Sequence, residues 1–446
     1  MSSVQTPPLL VWLRADLRLH DHPALHLALR EAQKTNAKLL LIWCWSNEER
    51  VDGIDLPRVD QARTHFTLSC AHALQAEVER RGGRLILCQG RAERVIPQLV
   101  ERLNISKVYG HHAVANDERE EERRLAGRLA ELGAPLLLAW GHTLYEQRQL
   151  PFELNSLPDI FTQFRKKMER EPAPKAPLTR PERITTPPEG ADSLLKELGI
   201  KEAPTPPHWE EDERACLRFE VGERGGLNRV EDYLWTRGCI ETYKETRNGM
   251  VGESYSTKLS PWLSVGALSP RYVWHEVLRY ERERVENDST YWVRFELLWR
   301  EYFQWVALKW GARLFQAGGL KSTSPLKREP LTLNSRARRA FEQWRSGETE
   351  DSFVNANMRE LSATGFMSNR GRQNVASYLV HDLGVDWRAG AAYFESQLID
   401  YDPASNWGNW AYVAGVGNDP RPQRRFNTQG QAARYDGDHR FRDHWR

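Results

Sequence analysis

Leu9-Leu10-Val11-Trp12-Leu13 and Leu39-Leu40-Leu41-Ile42-Trp43-Cys44-Trp45 are short apolar runs with the length and composition of buried strands. Further candidate strands follow at Leu85–Cys88, Lys107–Gly110 and Leu136–Trp140. Helical patterns separate them, notably Arg63–Arg81 and Glu118–Leu132. Strands alternating with helices predict an α/β domain with a doubly wound parallel sheet over residues 1–145. The crevice beyond the strand ends is the default ligand site of such a sheet. No G-x-G-x-x-G follows the first strand, so the usual dinucleotide fingerprint is absent.

Residues 146–212 are polar and punctuated by Pro172, Pro174, Pro177, Pro181, Pro187, Pro188, Pro204, Pro206 and Pro207. They read as a connector running over the surface. From 213 to 446 the pattern is helical. In Tyr291–Trp305 the residues Phe295, Leu298, Trp299 and Tyr302 recur at helical spacing. Arg359–Val380 is similar but carries polar residues among the apolar ones. Gly415–Asn418 with Pro420 and Pro422 reads as irregular. The expected architecture is an α/β domain, a connector and an all-α C-terminal domain.

Composition sets outer bounds. The 446 residues suffice for two or three domains with their own cores. No run of about 20 apolar residues occurs, so no transmembrane helix is expected. The start, Met1 to Pro8, lacks a secretory pattern. Cys44, Cys70, Cys88, Cys216 and Cys239 are odd in number and form no C-x-x-C, which points to reduced thiols, a cytoplasmic setting and no zinc site. A net charge of +2 does not by itself indicate nucleic-acid binding. Basic clusters such as Arg336-Ala337-Arg338-Arg339, or Arg421 with Arg424-Arg425, read individually as solvated faces. Tryptophan is the unusual component: there are 17, mostly beyond residue 200. That excess implies a large aromatic interior, a cofactor, or both in the helical part.

Several segments then resemble one family. Val11-Trp12-Leu13-Arg14-Ala15-Asp16-Leu17-Arg18-Leu19-His20-Asp21 is similar to the first strand and turn of photolyases and cryptochromes. Leu157-Pro158-Asp159-Ile160-Phe161-Thr162-Gln163-Phe164-Arg165-Lys166 resembles the connector of the DASH branch. Tyr243-Lys244-Glu245-Thr246-Arg247-Asn248 and Ser256-Thr257-Lys258-Leu259-Ser260-Pro261 resemble its flavin-domain entry. Phe366-Met367-Ser368-Asn369-Arg370-Gly371-Arg372-Gln373-Asn374 and Gly415-Val416-Gly417-Asn418-Asp419-Pro420 are close to DASH signatures. The resemblance spans the chain. It implies FAD in the helical domain, a 5,10-methenyltetrahydrofolate antenna, light-driven electron transfer, and a monomer acting on UV-damaged single-stranded DNA as a cyclobutane pyrimidine dimer photolyase.

The resemblance also assigns residues. Ser256, Thr257, Lys258, Leu259 and Ser260 would cradle the FAD diphosphate, with a helix beginning near Ser260 adding its dipole. By spacing alone that segment is equally an N-cap. Tyr243 would line the FAD site and Arg300 would lie near it. Asp400 would pair with Arg372 beside the flavin ring, Asp402 would meet its pyrimidine edge, and Asn406 would face N5. Without the family, Asp400-Tyr401-Asp402-Pro403 reads as a turn. A dimer-contacting set is implied at Glu296, Trp299, Asn369, Arg370, Gln373 and Tyr412. Spacing also allows Glu296 to pair with Arg300 at i+4. Gln373 and Tyr412 replace the Met and Trp of duplex photolyases. They offer less stacking area to offset the cost of base flipping, which favours single strands. Trp410 and Trp387 match the proximal and middle members of an electron-transfer chain. Its distal position falls at Asn334, and Trp344 is a candidate substitute that packing alone would also explain. Glu118 is the acidic candidate for the folate antenna. The segment Glu348 to Asn355 departs from the family's usual turn. The His111-His112 pair reads as a strand end and not as a metal site. A non-repairing blue-light receptor is the alternative. A (6-4) photoproduct enzyme would need a pocket histidine, and a glycosylase would need a nucleophile; the matched positions supply neither.

Overall fold

A computed structural model describes residues 6–46, 50–51, 53–326, 329–419, 421 and 424–446. Pro420 and Pro422 lie outside the described residues. The five strands Leu9–Leu13, Leu39–Trp45, Leu85–Gln89, Lys107–His111 and Leu136–Ala139 form one sheet. Every neighbouring pair is parallel. From one edge the order is Leu85–Gln89, Leu39–Trp45, Leu9–Leu13, Lys107–His111 and Leu136–Ala139. The expected doubly wound sheet is therefore present, with its reversal of strand order between Leu9–Leu13 and Lys107–His111.

Strand alternation sorts the core. Leu10, Trp12, Leu40, Ile42, Ile86 and Val108 face helices Ala92–Leu103 and Asn116–Glu131. Leu9, Val11, Leu13, Leu39, Leu41 and Leu85 face the other way, into a core continuous with Trp262, Trp305 and Trp410 of the helical part. One uninterrupted apolar interior thus joins both halves of the chain.

Beyond the strand ends the chain fills part of the crevice, while His112, Leu138, Ala139 and Trp140 line an open cavity of about 1150 Å³ beside it. The turn after Leu13 docks onto the helical domain: the Leu17 amide donates to the Val265 carbonyl at 3.1 Å and Arg18 Nη1 donates to the Gly266 carbonyl at 2.8 Å. Arg271 Nη2 meets Asp21 at 2.7 Å. Asp16, His22 and His111 converge just below, close enough to hold a metal ion. One nitrogen of each ring is engaged by the backbone. His22 Nδ1 accepts from the Leu25 amide (3.1 Å) and His111 Nε2 from the Ala24 amide (3.2 Å). Both remaining ring N–H groups face one oxygen of Asp16, at 3.3 and 2.7 Å. Burial drives the His111 pKa down to about 3, so the ring stays neutral. The two histidines are held by backbone amides and crowd Asp16 at the strand ends, where Asp16 Oδ2, His22 Nε2 and His111 Nδ1 are buried without a hydrogen-bond partner among the described residues.

The connector is more ordered than its prolines suggest. It holds helix Phe161–Met168, and Glu202 bridges Cys88 in antiparallel sense on the outer strand. That contact covers a sheet edge. In the helical part, the Tyr291–Trp305 pattern lies inside one long helix, Asp288–Trp310. The continuous Arg359–Val380 pattern is broken: helix Ser352–Thr364 ends at Gly365 with φ 68°, and helix Asn369–Ser377 begins after a Ser368 cap. A left-handed residue at that position stops the first helix. The unusual segment before it builds a cap, with Asp351 accepting from the amides of Phe353 (2.9 Å) and Val354 (3.0 Å).

Candidate functional site: a cavity in the helical domain

A cavity of about 490 Å³ opens among helices Asp288–Trp310, Asn369–Ser377, Trp387–Gln397 and Pro403–Val413. Two of these helices close against each other through Gly390, whose missing side chain makes room for the Trp410 ring. Its wall carries Tyr243, Ser256, Thr257, Lys258, Leu259, Ser260, Arg300, Arg372, Asp400, Asp402 and Asn406. It also carries Glu296, Trp299, Asn369, Gln373, Trp410 and Tyr412. Residues from Tyr243 to Tyr412 meet on one surface, as in other sites built between packed helices.

One end is polar and suited to an anion. Arg229, buried, holds the loop by donating to the carbonyls of Thr257 (3.0 Å), Ser256 (3.2 Å) and Glu253 (2.7 Å). The hydroxyls of Ser256, Thr257 and Ser260 have no partner among the described residues. Sequence reading missed Arg229, whose only signal was a lone arginine in a helix. The helix at Ser260 runs only to Ser264, so its dipole is small. Lys258 adopts φ 52° and turns its ammonium onto the carbonyls of Gly252 (3.2 Å) and Glu253 (3.1 Å). Burial lowers its pKa to about 7. The lysine thus braces the loop and does not present its charge to the cavity.

At the other end, Arg372 Nη2 donates to Asp400 Oδ2 at 2.7 Å, and Asp400 Oδ1 is buried without a partner. Asn406 Nδ2 donates to the Ala391 carbonyl at 3.0 Å, which orients the amide and leaves its oxygen as the free end. Asp402 is more occupied than expected. It caps helix Pro403–Val413 through the Ser405 amide (2.7 Å) and accepts Gln304 Nε2 at 3.0 Å. Burial works against its charge, but His142 and Arg300 outweigh that and hold it well below the carboxylate range. Arg300 donates to the His142 carbonyl and ring, both at 2.8 Å. His142, from the loop after the last strand, is a further residue the sequence did not flag.

The mouth is aromatic. Trp299 stacks on Phe161 of the connector helix at 3.7 Å and meets Tyr412 edge to face at 6.0 Å. Arg424 lies over Tyr412 at 4.7 Å. Glu296 is paired with Arg247, not with Arg300. Arg370 does not line the cavity. It donates to Gln373 Oε1 (3.0 Å) and Asn248 Oδ1 (2.7 Å), so it positions Gln373. Trp387 is also off the wall, with its Nε1 on the Ala317 carbonyl at 3.0 Å. Glu118 sits apart at the start of helix Asn116–Glu131, near Arg58 and Glu395, and burial pushes its pKa up to about 7.

The donor set fits FAD. Free hydroxyls suit a diphosphate, while the orphaned Asp400 oxygen and the oriented Asn406 oxygen suit the N–H groups of a reduced flavin ring. Residues 292–446 match the family described as the FAD binding domain of DNA photolyase, and residues 9–182 match DNA photolyase. The chain is 44% identical to cryptochrome DASH of Gloeobacter violaceus, covering 99% of this chain and 86% of that one. It is 42% identical to cryptochrome DASH of Xenopus laevis, covering 95% and 79%. The crystal structure of Synechocystis sp. PCC6803 cryptochrome superposes with a TM-score of 0.89 at 42% identity, covering 99% and 89%. A class III photolyase from Agrobacterium tumefaciens superposes at 0.81 with 28% identity, covering 100% and 87%. No described helix is long and apolar enough to cross a membrane. Fold, cavity chemistry and relatives agree, and the chain belongs to the cryptochrome DASH branch of the photolyase/cryptochrome family, with an FAD-binding helical domain.

Proposed function

We propose that this protein is a blue-light-driven lyase that splits cyclobutane pyrimidine dimers, preferentially in single-stranded DNA. The observation that carries the reading is the shared cavity: the Trp299–Tyr412 corner and the polar groups Glu296, Asn369 and Gln373 open onto the same space as Arg372, Asp400 and Asn406. Bound there, reduced FAD supplies on excitation the electron that opens the dimer ring and receives it back. The chain does the rest. Trp299 and Tyr412 stack the flipped dimer. Glu296 accepts from a pyrimidine imide N–H through the oxygen that Arg247 leaves free, and Gln373 is held in place by Arg370. Asn406 presents a carbonyl oxygen that does not titrate, so the fully reduced flavin is favoured. Arg247, Arg370 and Arg424 at the mouth meet backbone phosphates, which makes binding strongly salt-dependent. One tryptophan and one tyrosine give a smaller stacking surface than two tryptophans, and flipping costs least in single strands. We further propose Trp410 and Trp387 as an electron relay for photoreduction, and Glu118 as the acidic contact of a 5,10-methenyltetrahydrofolate antenna.

The test is repair of thymine dimers by the chemically reduced protein under blue light, on matched single-stranded and duplex oligonucleotides. Faster repair of single strands supports the reading. Equal rates keep the lyase and remove the pocket argument. No repair with reduced FAD bound leaves a blue-light receptor.

A further inference from the structure

A relay through Trp410 and Trp387 needs an exit, and its usual distal position is held here by Asn334. That residue is exposed and caps helix Ser335–Ser346 through the Ala337 amide at 2.9 Å. Asparagine cannot carry a hole. The Trp387 ring instead meets Trp407 edge to face at 5.7 Å. Trp407 is half-buried, and its Nε1–H points at Glu395 Oε2 (3.2 Å) and Tyr401 Oη (3.3 Å). Glu395 is 4% exposed, and its other oxygen takes Arg58 Nε at 2.8 Å.

We propose that Trp407 is the terminal electron donor of photoreduction in this chain and that Glu395 is its proton acceptor. This rests on the FAD-and-relay reading above. One electron passes from Trp407 through Trp387 and Trp410 to photoexcited oxidised FAD. The oxidised Trp407 ring transfers its Nε1 proton to Glu395 Oε2. A soluble thiolate then returns the electron and becomes a thiyl radical, and the proton goes back from Glu395 to nitrogen. No other bond forms or breaks. Removing the proton turns a cation into a neutral radical, which blocks immediate charge return.

The competing branches lack this chemistry. Trp344 lies 6.1 Å from Trp410, but it is fully buried and its Nε1–H rests on the Val375 carbonyl at 3.0 Å. A hole there stays charged in an apolar core with no base to relieve it. Tyr393, 5.7 Å beyond, is 5% exposed and its hydroxyl is likewise on a carbonyl, that of Arg345. Tyr401 is opposed by the Arg63 guanidinium, 4.3 Å over its ring, since a nearby cation disfavours a second positive charge. The hole therefore settles on Trp407, beside a carboxylate and within reach of solvent.

Flash transient absorption of the oxidised, FAD-loaded full chain tests this. W407F should lose the long-lived neutral tryptophan radical, while W344F should keep it. E395Q should form the radical but hold it in the protonated cation form, with a shortened lifetime. A long-lived neutral radical that survives in W407F, or disappears in W344F, overturns the assignment. If W407F fails to retain flavin, E395Q decides, and unchanged deprotonation there overturns it. So does a wild-type protein that binds FAD yet yields no tryptophan radical. Repair by chemically reduced wild-type protein does not use this route, so its absence would count against the lyase reading and leave the electron path standing.

Discussion

Two glutamates on one helix carry different loads. Glu296, at the cavity mouth, is partly exposed and paired with Arg247. Glu296→Ala is expected to slow dimer repair by about tenfold to hundredfold, through the loss of one charge-assisted contact. FAD absorbance should be unchanged. Equal loss of flavin would place the residue in cofactor binding. Glu301 is fully buried and accepts from the amides of Leu144 (2.8 Å) and Tyr145 (3.1 Å) and from Trp305 Nε1 (2.9 Å). Burial nevertheless pushes its pKa from an ordinary 4.5 up to about 7. The folded state then binds the proton more tightly than the unfolded one. Its contribution is full below pH 4.5 and falls as pH rises to 7, by about 3 kcal/mol. Glu301→Gln should cost about 1–3 kcal/mol at pH 4.5, because a donor loses its acceptor. It should also flatten stability between pH 4.5 and 7 in urea unfolding. An unaltered slope would mean that other groups set the pH dependence.

At the scale of elements, two glycines in helices make opposite predictions. Gly390, on helix Trp387–Gln397, would place a Cβ 2.2 Å from the Trp410 ring. Gly390→Ala should destabilise by about 1–3 kcal/mol through overpacking, and should disturb the Trp410 edge of the cavity. Gly127, on helix Asn116–Glu131, meets nothing within 4 Å. Gly127→Ala should stabilise by about 0.5–1 kcal/mol from helix propensity alone. Thermal melts of the pair check both signs. The same contrast shows what periodicity can and cannot say. The spacing in Tyr291–Trp305 predicts a helix, and the helix exists, extended to Asp288–Trp310. The spacing in Arg359–Val380 predicts one helix, and Gly365 divides it into two. Apolar spacing survives a break, while backbone handedness does not.

The whole molecule is held by buried polar clasps as well as by its core. Arg271 meets Asp21 at 2.7 Å, both buried, one from each half of the chain. Arg271→Ala should cost about 3–5 kcal/mol by leaving the carboxylate buried and unpaired. Glu223 makes a second clasp, accepting from the Leu19 amide at 2.7 Å and meeting His20 at 2.9 Å. Urea unfolding of Arg271→Ala should show a lowered midpoint. A cost below about 1 kcal/mol would mean that the Arg271–Asp21 pair does not contribute to holding the halves together.

The elements of this protein and their class were legible in the amino-acid pattern. Apolar strand runs with helical patterns between them specify a parallel sheet, because each element must bury its own apolar face. The motifs also marked most of the cavity wall, from Tyr243 to Tyr412, through resemblance rather than geometry. The pairings were not legible there, because they form only in the packed chain. Arg229 behind the loop 256–260, His142 between Arg300 and Asp402, and Arg247 on Glu296 join residues 49 to 260 positions apart or across a loop. Packing also decided that Lys258 turns away from the cavity, that Arg370 supports Gln373, and that Trp407 lies against Trp387. A buried charge takes whichever partner the packed chain brings within reach, and only the packed chain brings it.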